Sequence, residues 1–123
     1  MIHNPFGQVL VALVTPLQAD GEVDWPGVER LIDDVVTHGA DGIVVSGTTG
    51  ETSTLTDPEK IRLVEVAKDV AGSRAKVIQG GGSNETAHAI DLYRQAERAG
   101  ADGVMIVTPY YNKPTQAGLL THF

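Results

Sequence analysis

The chain has 123 residues, about the size of one small domain, of which 41% are hydrophobic and 20% charged. A formal net charge of −7, with no lysine/arginine run, argues against nucleic-acid backbones and anionic membrane surfaces as main partners. The absence of cysteine excludes disulfides, thiolate metal sites and cysteine nucleophiles. The opening "MIHNPFGQVL" lacks the basic segment and long apolar core of a signal peptide, and no apolar stretch approaches membrane-spanning length. The expected compartment is the cytoplasm.

The first predicted strand lies in "QVLVALVTP", from Gln8. A helical stripe of Trp25, Val28, Leu31, Ile32, Val35 and Val36 follows. "GADGIVVSGTTG", from Gly39, is the second strand with its exit turn. "TDPE", Thr56 to Glu59, has the form of a capping box and opens a helix whose stripe is Leu63, Val64, Ala67, Val70 and Ala71. "AKVIQGGG", from Ala75, is the third strand. Ser83 or Asn84 is expected to cap the next helix, with Ala89, Leu92, Ala96 and Ala99 on its apolar face. "GADGVMIVTPYY", from Gly100, repeats the Gly-Ala-Asp-Gly that opened the second strand. Thr115 is expected to cap a fourth helix that runs toward Phe123. Gly39 and Gly100 stand where helices should stop.

Each strand candidate is apolar without alternation, the pattern of a parallel sheet covered by helices. The order β-α-β-α-β-α-β-α is an α/β architecture: four βα units, about half of a (β/α)8 TIM barrel of roughly 250 residues. The alternative is an open doubly wound sheet, but Gly80-Gly81-Gly82 lacks the spacing of its dinucleotide fingerprint. Residues 1–123 contain no linker or low-complexity segment and read as part of one barrel domain.

In such folds chemistry gathers at the C-terminal ends of the strands. Four segments qualify: Thr15-Pro16, "GTTGE", "GGGSN" and "TPYYNKP". In "GTTGE", Thr48 and Thr49 lie between glycines, a compact set of hydroxyl and N–H donors suited to a small carboxylate or phosphate. The competing reading is a polar turn whose threonines bond their own backbone. In "TPYYNKP", Tyr110 and Tyr111 are adjacent phenols on a proline-stiffened loop. They suit packing against a neighbouring loop or subunit, with proton relay or pocket cover as the functional reading. His3, His38, His88 and His122 show no metal-ligand spacing. Acidic pairs such as Asp33-Asp34 read as solvated helix faces.

Taken together, "VALVTP", "GTTGE" followed by "TL" and an acidic helix start, and "VTPYYNKP" then "GLLTHF" resemble the dihydrodipicolinate synthase family. The resemblance covers essentially the whole chain but only the N-terminal half of the family's length. The wider group is the pyruvate-dependent class I aldolases, which include N-acetylneuraminate lyase. The resemblance implies condensation of pyruvate with L-aspartate 4-semialdehyde in the diaminopimelate route to lysine. It implies no cofactor or metal, only a Schiff base on a lysine. It gives Thr49 the pyruvate carboxylate and Thr48 a place in a hydroxyl relay. Tyr111 would belong to the same relay, reaching into the neighbouring subunit's site of a homodimer or homotetramer.

It further implies a lysine-regulatory site at Thr52, Ser53, Asp57, Lys60, Asn84, His88 and Tyr110. Lys60 replaces an expected histidine there, and His88 an expected glutamate, so lysine should bind weakly or not at all. None of Lys60, Lys68, Lys76 and Lys113 suits the Schiff base, which is expected beyond residue 123. The 123 residues alone are therefore expected to be inactive, as part of a longer polypeptide. Another pyruvate aldolase, or a non-catalytic half-barrel that binds an anion or assembles with a partner, are the alternatives.

Overall fold

The computed structural model describes residues 4–123; His3 lies outside them. The elements are β1 (Leu10–Ala12), α1 (Trp25–Thr37), β2 (Gly42–Val45), a 3-10 turn (Thr52–Thr54), α2 (Asp57–Ala71), β3 (Lys76–Gln79), α3 (Thr86–Arg98), β4 (Gly103–Val104) and α4 (Gln116–His122). The four strands form one sheet in the order β1-β2-β3-β4, every neighbour parallel. Sequential order with right-handed crossovers puts successive helices on one side of the sheet, where α1 packs on α2 and α2 on α3. A doubly wound sheet would reverse its strand order. The singly wound order is that of a barrel wall.

The core lies between sheet and helices. Leu13, Ile43, Val45 and Val77 meet Val28, Ile32 and Val36 of α1 and Leu63, Val64, Ala67 and Ala71 of α2. These are the residues of the sequence stripes, and α3 buries Ala89, Leu92 and Ala96 in the same way. Asp24 caps α1, accepting from the N–H of Gly27 at 3.1 Å. Thr56 and Glu59 form the full capping box at α2, and Thr115 caps α4. At α3 the expectation fails: Glu85 occupies the N-cap without a side-chain bond. Ser83 Oγ accepts from the N–H of Glu85 at 3.0 Å, outside the helix, and the Asn84 amide is engaged elsewhere. Among the described residues no helix is long and apolar enough to cross a membrane.

The repeated Gly-Ala-Asp-Gly performs one task twice. Its first glycine ends a helix with φ of 103° at Gly39 and 93° at Gly100, a left-handed cap that suits glycine. Its aspartate reaches back to the start of the preceding strand. Asp41 accepts from the N–H of Gln8 at 2.7 Å and of Val9 at 2.9 Å. Asp102 accepts from the N–H of Val77 at 2.9 Å and pairs with Lys68 at 2.8 Å and Lys76 at 3.3 Å. Its second glycine admits a close neighbour: a Cβ on Gly42 would meet Leu10, and one on Gly103 would meet the Phe6 ring at 2.7 Å.

Partial burial pushes the Asp102 carboxyl up, but hydrogen bonds from Lys68, Val77 and Lys76 outweigh it and hold the group below its usual range. A depressed folded pKa contributes stability that is present above the unfolded value and lost as pH falls through the folded one. Asp102→Ala should therefore lower stability by about 1–2 kcal/mol near neutral pH, and the difference should begin to shrink below about pH 4 and disappear only as pH falls through the depressed folded pKa. Thermal unfolding of both proteins across that range checks it. A pH-independent difference would mean that packing, not the carboxylate, is responsible.

Candidate active site

At the other end of the sheet, β2 leaves Val45 through Ser46, a buried residue at φ 51°. Gln79, fully buried, donates to Ser46 Oγ at 3.3 Å, and the N–H of Gly80 donates to the C=O of Val45 at 2.8 Å. The turn Gly47–Gly50 rests on this support. Its carbonyls are engaged: that of Gly47 accepts from the N–H of Gly50 at 3.0 Å and of Thr52 at 3.3 Å, and that of Thr48 from Glu51 at 3.0 Å. The buried Thr15 hydroxyl donates to the C=O of Gly50 at 2.8 Å. Thr48 and Thr49 are exposed. Among the described residues, no protein acceptor takes their N–H groups, and their hydroxyls hydrogen-bond to nothing. The turn is rigid on its acceptor side and unclaimed on its donor side, the arrangement that seats a small anion.

A cavity of about 920 Å³ opens beside this turn, lined by Thr48, Thr52, Ser53, Lys60, His88 and Tyr110 among others. Of the seven residues that the sequence assigned to a regulatory site, Asn84 also lines it, and Asp57 sits behind it. Asp57 joins Lys60 Nζ at 3.1 Å and His88 Nε2 at 2.5 Å. Burial pushes the Asp57 carboxyl up, but hydrogen bonds from His88 and Lys60 outweigh it and hold the group below the usual carboxylate range. The Lys60 side chain is only 10% exposed. Thr52 Oγ1 is buried without a hydrogen-bond partner among the described residues.

Thr49 and Tyr111 are not among the cavity's lining residues. Tyr111 is 94% exposed, and its backbone is left-handed at φ 67°. For a bulky residue that conformation costs about 1–3 kcal/mol unless its surroundings enforce it. Asn84 donates to the C=O of Tyr110 at 3.4 Å and to Asn112 Oδ1 at 3.3 Å, and Asn112 Nδ2 donates to the C=O of Asn84 at 2.9 Å.

Two contributors to this end of the sheet were not found in the sequence. One is Asn112. The other is Tyr93 of α3, whose hydroxyl lies 3.3 Å from the carbonyls of both Gly81 and Met105. It bridges the exits of β3 and β4, and burial raises its pKa, opposed by a hydrogen bond from the Val107 backbone. Beside Leu92 on the helical stripe, Tyr93 carries no signal beyond a half-buried aromatic.

The lysines lie where the sequence put them. Lys60 and Lys68 are in α2, Lys76 is the first residue of β3, and Lys113 is exposed in the loop after β4. His38 pairs with Asp34, and His122 Nδ1 lies 2.8 Å from Thr86 Oγ1. Among the described residues, no group of three or more histidine, aspartate or glutamate side chains could hold a metal ion.

Residues 5–123 match the model of the dihydrodipicolinate synthetase family. A 4-hydroxy-tetrahydrodipicolinate synthase of Acidothermus cellulolyticus is 56% identical over 119 residues, covering 97% of this chain and 39% of the relative. A chloride-inhibited dihydrodipicolinate synthase from Acinetobacter baumannii, solved with pyruvate, superposes with a TM-score of 0.90 at 46% identity, over 93% of this chain and 39% of that one. The synthase of Cyanidioschyzon merolae, solved with lysine bound, gives 0.91 at 45% identity, over 95% and 40%. The chain thus spans about two fifths of the length of the curated relatives it matches, and its parallel sheet corresponds to the first βα units of their barrel. From its strand order, its strand-end turns and a match that runs through nearly every residue, the chain belongs to the dihydrodipicolinate synthetase family.

Proposed function

We propose that these residues form the carboxylate-binding and proton-relay half of a 4-hydroxy-tetrahydrodipicolinate synthase. The enzyme condenses pyruvate, held as a lysine Schiff base, with L-aspartate 4-semialdehyde in the diaminopimelate route to lysine. The observation that carries this reading is the donor side of the turn after β2, where the hydroxyls and N–H groups of Thr48 and Thr49 have no partner among the described residues. Thr49, with the neighbouring N–H groups, orients the pyruvate carboxylate without introducing a second charge beside the iminium. Thr48 passes protons, because forming and breaking an imine requires several transfers at one carbon and a chain of hydroxyls moves them without net charge.

Tyr111 completes the relay in a neighbouring subunit of a homodimer or homotetramer. Its near-complete exposure and its absence from its own chain's cavity support that placement. The imine lysine is contributed by polypeptide following these 123 residues. Lys60, Lys68 and Lys76 are tied to Asp57 or Asp102, and Lys113 lies in an exposed loop. No external cofactor enters the scheme, and the cytoplasm is its compartment. Borohydride reduction in the presence of pyruvate tests the chemistry. The full-length polypeptide should gain a pyruvyl adduct and the 123-residue chain none. An adduct on the short chain would place the imine lysine among the four present.

The cavity with Lys60 and His88 is proposed as a degenerate effector site. A lysine ligand needs an unpaired anion for its ammonium, and the Asp57 carboxylate is already shared between Lys60 and His88. Millimolar lysine should leave the full-length enzyme's rate nearly unchanged. Half-maximal inhibition at sub-millimolar lysine would sink this reading.

A further inference from the structure

We infer that Asn112 is a positioning residue for the reaction. With Asn84 it forms a reciprocal amide clamp that holds Tyr111 in its left-handed conformation and aims the phenol away from its own chain. The inference rests on the reading of Tyr111 as a relay group.

Tyr111 is the centre of a three-residue turn, closed by the N–H of Asn112 donating to the C=O of Tyr110 at 2.8 Å. Such a turn with positive φ at its centre is rare and strained. Nothing in the Tyr111 side chain enforces it: the phenol is almost wholly exposed and makes no hydrogen bond among the described residues. The constraint comes from the residues on either side. Asn84, on the loop after β3, donates to the Tyr110 carbonyl and to Asn112 Oδ1, and its own carbonyl accepts from Asn112 Nδ2. Both flanks of Tyr111 are thereby tied to one residue on the neighbouring strand exit. Lys113, on the far side of Asn112, is also left-handed at φ 47°. The Asn112 side chain faces Asn84 while Tyr111 projects outward.

The chemistry of the pair is specific. The Asn112 amide donates and accepts at once, which neither a carboxylate nor an aliphatic isostere can do, while Asn84 donates through its side-chain amide and accepts through its backbone carbonyl. The loop that carries Asn84 is itself held, because the Tyr93 hydroxyl bridges Gly81 to Met105. A phenol that transfers a proton must stay within hydrogen-bond reach of its partners. Releasing the clamp lets Tyr111 relax to ordinary backbone geometry and reduces the fraction of enzyme with the relay in place. The loss should therefore appear in kcat and not in KM for pyruvate.

The test compares Asn112→Ala in two backgrounds of the full-length enzyme, the unaltered one and Tyr111→Phe, measuring kcat and the KM for pyruvate. In the unaltered background kcat should fall about tenfold with KM unchanged. In Tyr111→Phe, Asn112→Ala should cause no further fall. Asn112→Asp keeps the acceptor and loses the donor, and it should recover part of kcat. If Asn112→Ala does not fold, Asn112→Asp in the same two backgrounds makes the comparison. Equal losses in both backgrounds would show that Asn112 acts independently of Tyr111 and would overturn the inference while leaving the relay intact. Full kcat in Tyr111→Phe itself would remove the relay reading, and the inference with it.

Discussion

Thr48→Val should lower kcat about a hundredfold with little change in the KM for pyruvate, whereas Thr49→Val should raise that KM about tenfold or more with a smaller effect on kcat. The two side chains are adjacent, both exposed and chemically identical, so only their placement can separate them. Thr48 lines the cavity; Thr49 does not. Valine preserves shape and removes only the hydroxyl. The turn itself should survive both changes, because its hydrogen bonds run through the carbonyls of Gly47, Thr48 and Gly50 and involve neither hydroxyl. A lost proton-transfer group typically costs a factor of about 100 to 10,000 in rate. A lost hydrogen bond to a charged carboxylate costs about 1.5–3 kcal/mol of binding, or roughly ten- to a hundredfold. Steady-state kinetics of the full-length enzymes separates the two. Small, equal effects would return "GTTGE" to the status of an ordinary polar turn.

The second large effect is expected one strand away. Gly80→Ala should destabilise the protein by about 1–3 kcal/mol and weaken pyruvate binding, although Gly80 lies outside the threonine turn. A Cβ at that position would stand 2.9 Å from both the N and Cα of Gly47 and 3.1 Å from Val44 Cγ1. The obstruction is backbone, which cannot swing aside as a side chain can. Gly80 also supplies the N–H that anchors Val45 and a carbonyl that faces Ser46. The whole turn must lift, carrying the donors of Thr48 and Thr49 out of register. Calorimetry combined with a pyruvate titration checks both halves. A lower melting temperature with unaltered pyruvate affinity would show that the turn tolerates displacement of its support.

The helices and their apolar faces were legible because amphipathic periodicity records which side is buried: Ile32, Leu63, Val64 and Leu92 were read from spacing alone and are buried. The capping box at Thr56 was legible because it is a local exchange between residues three apart. Less was visible where contacts join distant segments. Nothing local told that Asp41 and Asp102 bind strands far back in the chain, or that Asn84 faces Asn112 and is therefore absent from the cap of α3. The apolar run after Gly100 read as a longer strand than the two ladder residues Gly103 and Val104. Beyond them only the N–H of Met105 continues the pairing, to the C=O of Gln79 at 2.8 Å. Of the site, residue types and strand-end placement were readable. The left-handed backbone of Tyr111 was not, because the sequence offers no glycine or asparagine there to announce it.

The repeated Gly-Ala-Asp-Gly divides labour along the length of the strands. Its aspartates fasten the entrance of the sheet, while the four non-glycine residues with positive φ among the described residues, Ser46, Glu51, Tyr111 and Lys113, lie beyond strand exits. One rim is nailed down and the other is held in tension. Changes at the entrance rim should therefore move the melting temperature and leave turnover alone. That makes the rim around Asp41 and Asp102 the place where a variant of this protein can be hardened against heat without disturbing the strand-exit rim.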